Sequence, residues 1–295
     1  MALHASDIDE IAQMLVDSAA QLSFDVHTDI DWDAGFVPGM AFGPEHRSAL
    51  YGTPIWDALS WEQKVEYSIH QLASMHAIEW WVETLLMQML IRQVNNADGA
   101  TPYAWHIYTE IADECRHSTM FGRMVAATGA PTYGPPWWAR QAGKLFGAFA
   151  PPVIAMALAM FFEEYGDALQ REAAADESVQ PLVRRVSHIH VIEESRHLKF
   201  ARAELVERVP RSPFEKALLA VLYGPIAYVV TRFMVSPEVF ENSGLDRRAA
   251  TRAARRNRHW RETQRWAAEQ AMRTFAELGI RNRFGDAVCR AAGVL

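Results

Sequence analysis

A chain of 295 residues, half of them hydrophobic, has enough apolar material for a sizeable core, which excludes a disordered tail protein. Its formal net charge of −7 argues against a general nucleic-acid binder. The only cysteines, Cys115 and Cys289, are too few for a disulfide framework or a cysteine-built zinc site, and they suit a reducing cytoplasm.

The N-terminus, with Asp7, Asp9 and Glu10, is acidic and does not read as a signal peptide. Residues 28–53, rich in Gly, Pro and aromatics, read as irregular structure. Ser60-Trp61-Glu62-Gln63 is a capping box, which predicts a helix to about Val94. Leu72, Met75, His76, Glu79, Val82, Glu83, Leu86 and Leu90 form one stripe along it at 3- and 4-residue spacing. After a break at residues 95–99, Thr101 caps a second helix with Pro102 at its first position. That helix carries Ile107, Glu110, Glu114, His117 and Phe121 on one face and stops at Gly129. Residues 131–136 read as a loop.

The uncharged run from Leu145 to Phe162 has transmembrane length. Pro151 and Pro152 break it, and it leads directly into Glu163 and Glu164, so it reads as a buried core helix. A helix from about Pro152 to Ala175 follows, then one from about Pro181 to Val209 that should stop at Pro210. The inner stripe of the latter is Val183, Val186, His190, Glu194, His197, Ala201 and Leu205. Ser212-Pro213 opens a further helix, with a kink expected at Pro225. A last long helix is predicted from Asp246 to Leu278, ended by Gly279; its many arginines suit a solvated or dimer-facing surface. With no period-2 pattern and no composition shift, the expectation is one all-α domain over residues 1–295.

One pentapeptide occurs twice. Asp113-Glu114-Cys115-Arg116-His117 and Glu193-Glu194-Ser195-Arg196-His197 both read acid-Glu-x-Arg-His. On a helix each Glu-x-x-His pair lies on one face. Two such pairs, plus a Glu from each of two other helices, are the ligand set of a carboxylate-bridged di-iron or di-manganese centre in a four-helix bundle. The competing reading, an ordinary salt-bridged helix face, sits badly with the repeat and its apolar surroundings. Of the two remaining carboxylates, Glu79 is preferred with Glu83 in reserve, and Glu163 is preferred over Glu164, which lies about 100° round the helix. Asp113 and Glu193 could each accept a hydrogen bond from the outer nitrogen of a ligand His on the partner helix. Arg116 and Arg196 belong to the same surrounding layer. Glu110 reads as support or solvent-facing rather than a ligand, Cys115 as a small buried filler, and His70, His76, His106 and His188 take no role.

Glu79, then Asp113 to His117, then Glu163, then His190-x3-Glu194-x2-His197 resembles the p-aminobenzoate N-oxygenase family of di-iron proteins. The distinguishing feature is the extra His, here His190, one turn before the second Glu-x-x-His. The likeness spans residues 50 to 205, and the chain is short for the group. It implies a ferritin-like four-helix bundle core over about residues 60–209 with additional helices, usually dimeric. It implies seven ligands at Glu79, Glu114, His117, Glu163, His190, Glu194 and His197, holding two iron ions; manganese or a mixed centre accepts the same set. The implied activity is O2-dependent oxygenation of an aromatic amine to hydroxylamino, nitroso or nitro products, with an external electron donor and without nucleic acid or membrane. The family's substrate-binding residues do not carry over. Two other functions share the ligands: oxygenation at carbon, by hydroxylation or oxidative decarboxylation, and iron storage or ferroxidase activity, which predicts large cages.

Overall fold

The computed structural model describes residues 5–295, and among these there is no strand, only an isolated bridge between Ala41 and Val179. The first helix, α1 (Ala5–Gln21), was not anticipated. It buries Ile8, Ala12, Leu15 and Ala19, which recur at helical spacing. Residues 22–53 are irregular apart from two 3₁₀ turns, Trp32–Ala34 and Glu45–Arg47, as composition suggested. The Gln180 side chain fastens this segment, donating to Val37 O and Met40 O and accepting from Val37 N. A one-turn helix, α2 (Pro54–Asp57), follows, capped by Thr53.

Four long helices form the core. In α3 (Trp61–Val94) the Ser60 and Gln63 side chains accept from each other's backbone N–H, closing the predicted capping box. In α4 (Pro102–Thr128) Thr101 caps the start, and Gly129 stops the helix at φ 70, where a side chain would be strained. The two form an antiparallel hairpin. A long crossover then carries α5 (Trp137–Phe149), which lies against α3. A Cβ at Gly143 would come within 2.5 Å of Trp81 Cζ2, so this glycine permits the close approach. The run from Leu145 to Phe162 is therefore divided: its first residues finish α5, and the rest belong to α6 (Pro152–Ala175). Every residue from Val153 to Asp167 is buried, because α6 is covered on several sides. The second hairpin is α6 with α7 (Pro181–Arg211); α3 also packs on α6 and α4 on α7.

Pro210 does not stop α7, which runs on to Arg211. Only one residue follows Pro210 in the helix, so the proline still falls at the helix end. The outer layer is α8 (Pro213–Phe233), α9 (Pro237–Asn242), α10 (Arg247–Arg256), α11 (Arg258–Glu277) and α12 (Arg283–Ala292). The α8 helix continues past Pro225. The predicted last helix is two, parted at Asn257. This buried residue takes an extended conformation, caps α11 by accepting from His259 N, and donates to Ala49 O and Tyr51 O. A tertiary tie to a loop some 200 residues earlier thus breaks a pattern that is locally helical. Phe161 of α6 stacks on Phe275 of α11, and Tyr223 of α8 meets Phe275 edge-on, so the outer layer closes over α6. Fully burying each such ring stabilises by roughly 1.5–3 kcal/mol.

One stretch, Pro213–Asn242, is long and apolar enough to cross a membrane by length and composition, and a third of its most apolar window is buried. The Leu145–Phe162 run, split as described, is not of this kind.

Candidate metal centre

The two hairpins bring their carboxylates and imidazoles together at mid-bundle. Four overlapping sets of buried side chains have donor atoms within 4.8 Å of one another: Glu83, His117 and His190; Glu114, His117 and Glu194; Glu163, His190 and Glu194; Glu110, Glu114 and His197. Six of the seven residues expected from sequence are thus gathered in one place. Within it His117 Nδ1 lies 2.9 Å from Glu114 Oε2. His197 Nδ1 lies 3.0 Å from Glu194 Oε2 and 3.1 Å from Glu114 Oε1. His190 Nε2 is 3.5 Å from Glu83 Oε1.

The α3 helix sends Glu83 into these sets. Glu79, one turn earlier and also buried, has its Oε2 2.5 Å from His76 Nδ1 and stands beside the cluster. Both lie on the same stripe, so periodicity could not separate them; here it is Glu83 that comes within reach of His117 and His190. On α6, Glu163 joins the cluster, whereas Glu164 turns outward and accepts two hydrogen bonds from Arg202. Glu110 is buried against His106, at 3.4 Å, and its carboxylate reaches Glu114 and His197. Its position one turn before Glu114 on the inner face was the available signal. Cys115 is exposed rather than a buried filler, since the variable position of the motif lies off the inner face of α4.

The repeated acid and Arg have a visible purpose. His117 of α4 donates from Nε2 to Glu193 of α7 at 3.0 Å, and His197 of α7 donates from Nε2 to Asp113 of α4 at 3.1 Å. Each acid thus orients the imidazole of the opposite helix and leaves its Nδ1 facing the cluster. Arg116 donates to both Asp113 and Glu193. Arg196 donates to Asp113 and to Leu22 O. The pseudo-symmetry of the sequence repeat is therefore a pseudo-symmetry of contacts.

Electrostatically the centre is overloaded with buried carboxylates. Burial, then the Glu114 and Glu163 charges, holds Glu83 well above the usual carboxylate range; burial, then the Glu194 and Glu114 charges, does the same to Glu163. Burial raises Glu194 to about 7. Glu114 goes the other way despite its burial, because His117 and His197 flank it. Burial would lower His117, but Glu114 and Glu193 outweigh it and lift the imidazole to about 9. Burial and the charge on His117 hold His190 well below its ordinary value, neutral and able to donate a lone pair.

A pair of divalent cations fits this donor set. Both oxygens of Glu83, one of Glu163, one of Glu194 and both nitrogens of His190 are buried without a hydrogen-bond partner. Such groups are costly unless something binds them. Mixed imidazole and carboxylate donors suit iron or manganese.

An all-α protein with a ferritin-like bundle and a buried Glu/His cluster able to hold metal is the class that fold and site define. The chain belongs to the family described as P-aminobenzoate N-oxygenase AurF, which it matches over residues 5–279. That span takes in α1 and the outer helices α8 to α11, well beyond the residues that carried the resemblance in sequence. The family is one of oxygenases, and its chemistry depends on a di-iron centre. Curated relatives include proteins of two Mycobacterium tuberculosis strains and one Mycobacterium bovis strain, described as uncharacterized. Each is 28% identical over 243 residues, which is 78% of this chain and 71% of the relative.

Proposed function

We propose that this chain is an O2-dependent di-iron monooxygenase that oxygenates the nitrogen of an aromatic amine. The observation that carries the reading is the crosswise pairing of His117 with Glu193 and His197 with Asp113 around unpartnered buried carboxylates, in a chain of this family. Glu114, His117, Glu163, His190, Glu194 and His197 would hold the two ions, with the α3 carboxylate supplied by Glu83 or Glu79. When bound, the iron pair supplies O2 activation and oxygen-atom transfer. In the balanced first step an amine, O2, two electrons and two protons give a hydroxylamine and water, with the electrons coming from an external reductant.

The protein's own contribution is positioning and exclusion. Asp113 and Glu193 fix the ring orientation of both motif histidines and raise their basicity. Phe121, 5.0 Å from the His190 ring, and Phe200, 4.1 Å from the His106 ring, are fully buried and help keep bulk water from the cluster. The test is anaerobic iron loading, then exposure to isotopically labelled O2, a reductant and a panel of arylamines, with products read by mass spectrometry. Labelled hydroxylamine, nitroso or nitro product supports the reading. Two bound irons with no labelled nitrogen product from any amine would overturn it.

The reading also places the protein in the cytoplasm as a homodimer. Trp137, Trp138, Leu145 and Phe149 on α5, with Phe214, Val221 and Tyr228 on α8, are exposed, and Trp138 touches Phe233 to join the two helices into one apolar face. Sedimentation would report the dimer.

A further inference from the structure

A cavity lies beside the cluster, with Glu79 in its wall, and it allows a finer statement that rests on the oxygenase reading. Its walls are set by helical register. On α3 it is lined by Glu79, four residues before Glu83; on α7 by Ser187, three before His190; on α6 by Gln170, seven after Glu163. These spacings keep each wall residue on the same helix face as a cluster residue. The cavity measures about 70 Å³, which limits its occupant to a small ligand. Phe42, Leu72, Met75, Leu169 and Val183 make it mostly apolar.

Two cations stand at the mouth, and both are engaged. Arg47 donates to Glu172 and to Thr263, with its guanidinium 3.8 Å from the Trp266 ring centroid. Lys64 pairs with Glu45 at 3.3 Å and lies over Trp56. Each thus already has a carboxylate beside it that balances its charge. Deeper in, Gln170 is only 4% exposed, and both its amide nitrogen and its carbonyl oxygen lack a partner. A buried primary amide left so is costly, and a ligand group that can both donate and accept relieves it. A carboxylate can only accept: it would leave the Gln170 oxygen unpaired and bury a further negative charge in a cavity that Glu79 also lines, beside cations already paired. Seven residues of helix put Gln170 about 10 Å along α6 from Glu163, a span suited to a para-substituted ring with its amine at the cluster.

We propose that the cavity takes a neutral single-ring arylamine whose second substituent, an uncharged amide or alcohol, hydrogen-bonds Gln170, and that it discriminates against aminobenzoate anions.

The test is anaerobic calorimetric titration of the iron-loaded full chain with p-aminobenzamide, p-aminobenzoate and aniline. The benzamide should bind at least tenfold tighter than the benzoate. Gln170→Leu should weaken benzamide binding roughly ten- to a hundredfold and leave aniline nearly unchanged. Equal or tighter benzoate binding, binding of neither compound, or a folded Gln170→Leu protein with undiminished benzamide affinity would each overturn the proposal. The wild-type comparison stands even if the variant does not fold. Turnover is read separately. A benzamide preference without oxygenated product keeps the cavity assignment and removes N-oxygenation, whereas product without that preference does the reverse.

Discussion

Replacing Asp113 by Asn tests whether the crosswise acid–imidazole pairs build the site. Burial pushes the Asp113 carboxyl up, but the hydrogen bond and charge of His197, with Arg116 and His117, pull it from 3.8 to about 2. That fall corresponds to roughly 2 kcal/mol of stabilisation at neutral pH. Asn keeps the shape and one acceptor yet loses the charge, and the buried Arg196 is left with Glu193 alone, 3.9 Å away and shared with Arg116, so the cost should lie between about 2 and 4 kcal/mol. The pH dependence has a definite sign. A depressed carboxyl stabilises above its unfolded value and loses that contribution as pH falls from about 4 to about 2, so the gap between wild type and Asp113→Asn should close on acidification. Urea denaturation of the metal-free protein measures the first effect. Chelator competition measures the second, a weakening of iron binding by about 10- to 100-fold. An Asp113→Asn protein within about 0.5 kcal/mol of wild type at pH 7, with unchanged iron affinity, would refute the reasoning.

Further outcomes follow from the same structure. Because His117 without metal titrates at about 9, iron binding at pH 7 should release protons and tighten as pH rises, which calorimetry in two buffers of different ionisation enthalpy would detect. The raised value also means that metal-free stability from this group is full below about 6.5 and is lost as pH climbs through about 9. Glu163→Gln should lower bound iron measured by elemental analysis, while Glu164→Gln, which only frees Arg202 at the edge, should leave iron content unchanged. Gly285→Ala should cost about 1–3 kcal/mol in thermal unfolding, because its Cβ would fall within 2.2 Å of the Tyr223 ring and must push α12 off α8; an unchanged melting temperature would contradict that packing.

Much of the core was legible before any coordinates, and the reasons are local. Ser60 with Gln63, Thr101 with Pro102, and Gly129 set helix ends through hydrogen bonds within four residues of chain, and the structure keeps them. The doubled motif was legible because a Glu-x-x-His pair needs only one helix to present both donors on one face. What lay outside sequence reasoning depends on contacts between distant segments. The last helix is divided at Asn257 because that side chain is drawn to Ala49 and Tyr51, and no local propensity announces it. The helices α1, α9 and α12 depend on the faces they cover.

The choice among neighbouring carboxylates is of the same kind. Periodicity put Glu79 and Glu83 on one stripe, and Glu163 and Glu164 side by side. What separates them is the meeting of Glu83 with His117 and His190, and the Arg202 side chain beside Glu164. Sequence by itself determined which residue types could hold metal and on which helices they ride, because those follow from a 3.6-residue repeat. Only the packing of the four helices decided which oxygens and nitrogens meet and where an unpartnered amide lines a cavity beside them, because a helix's rotation and offset are settled by the neighbours it packs against.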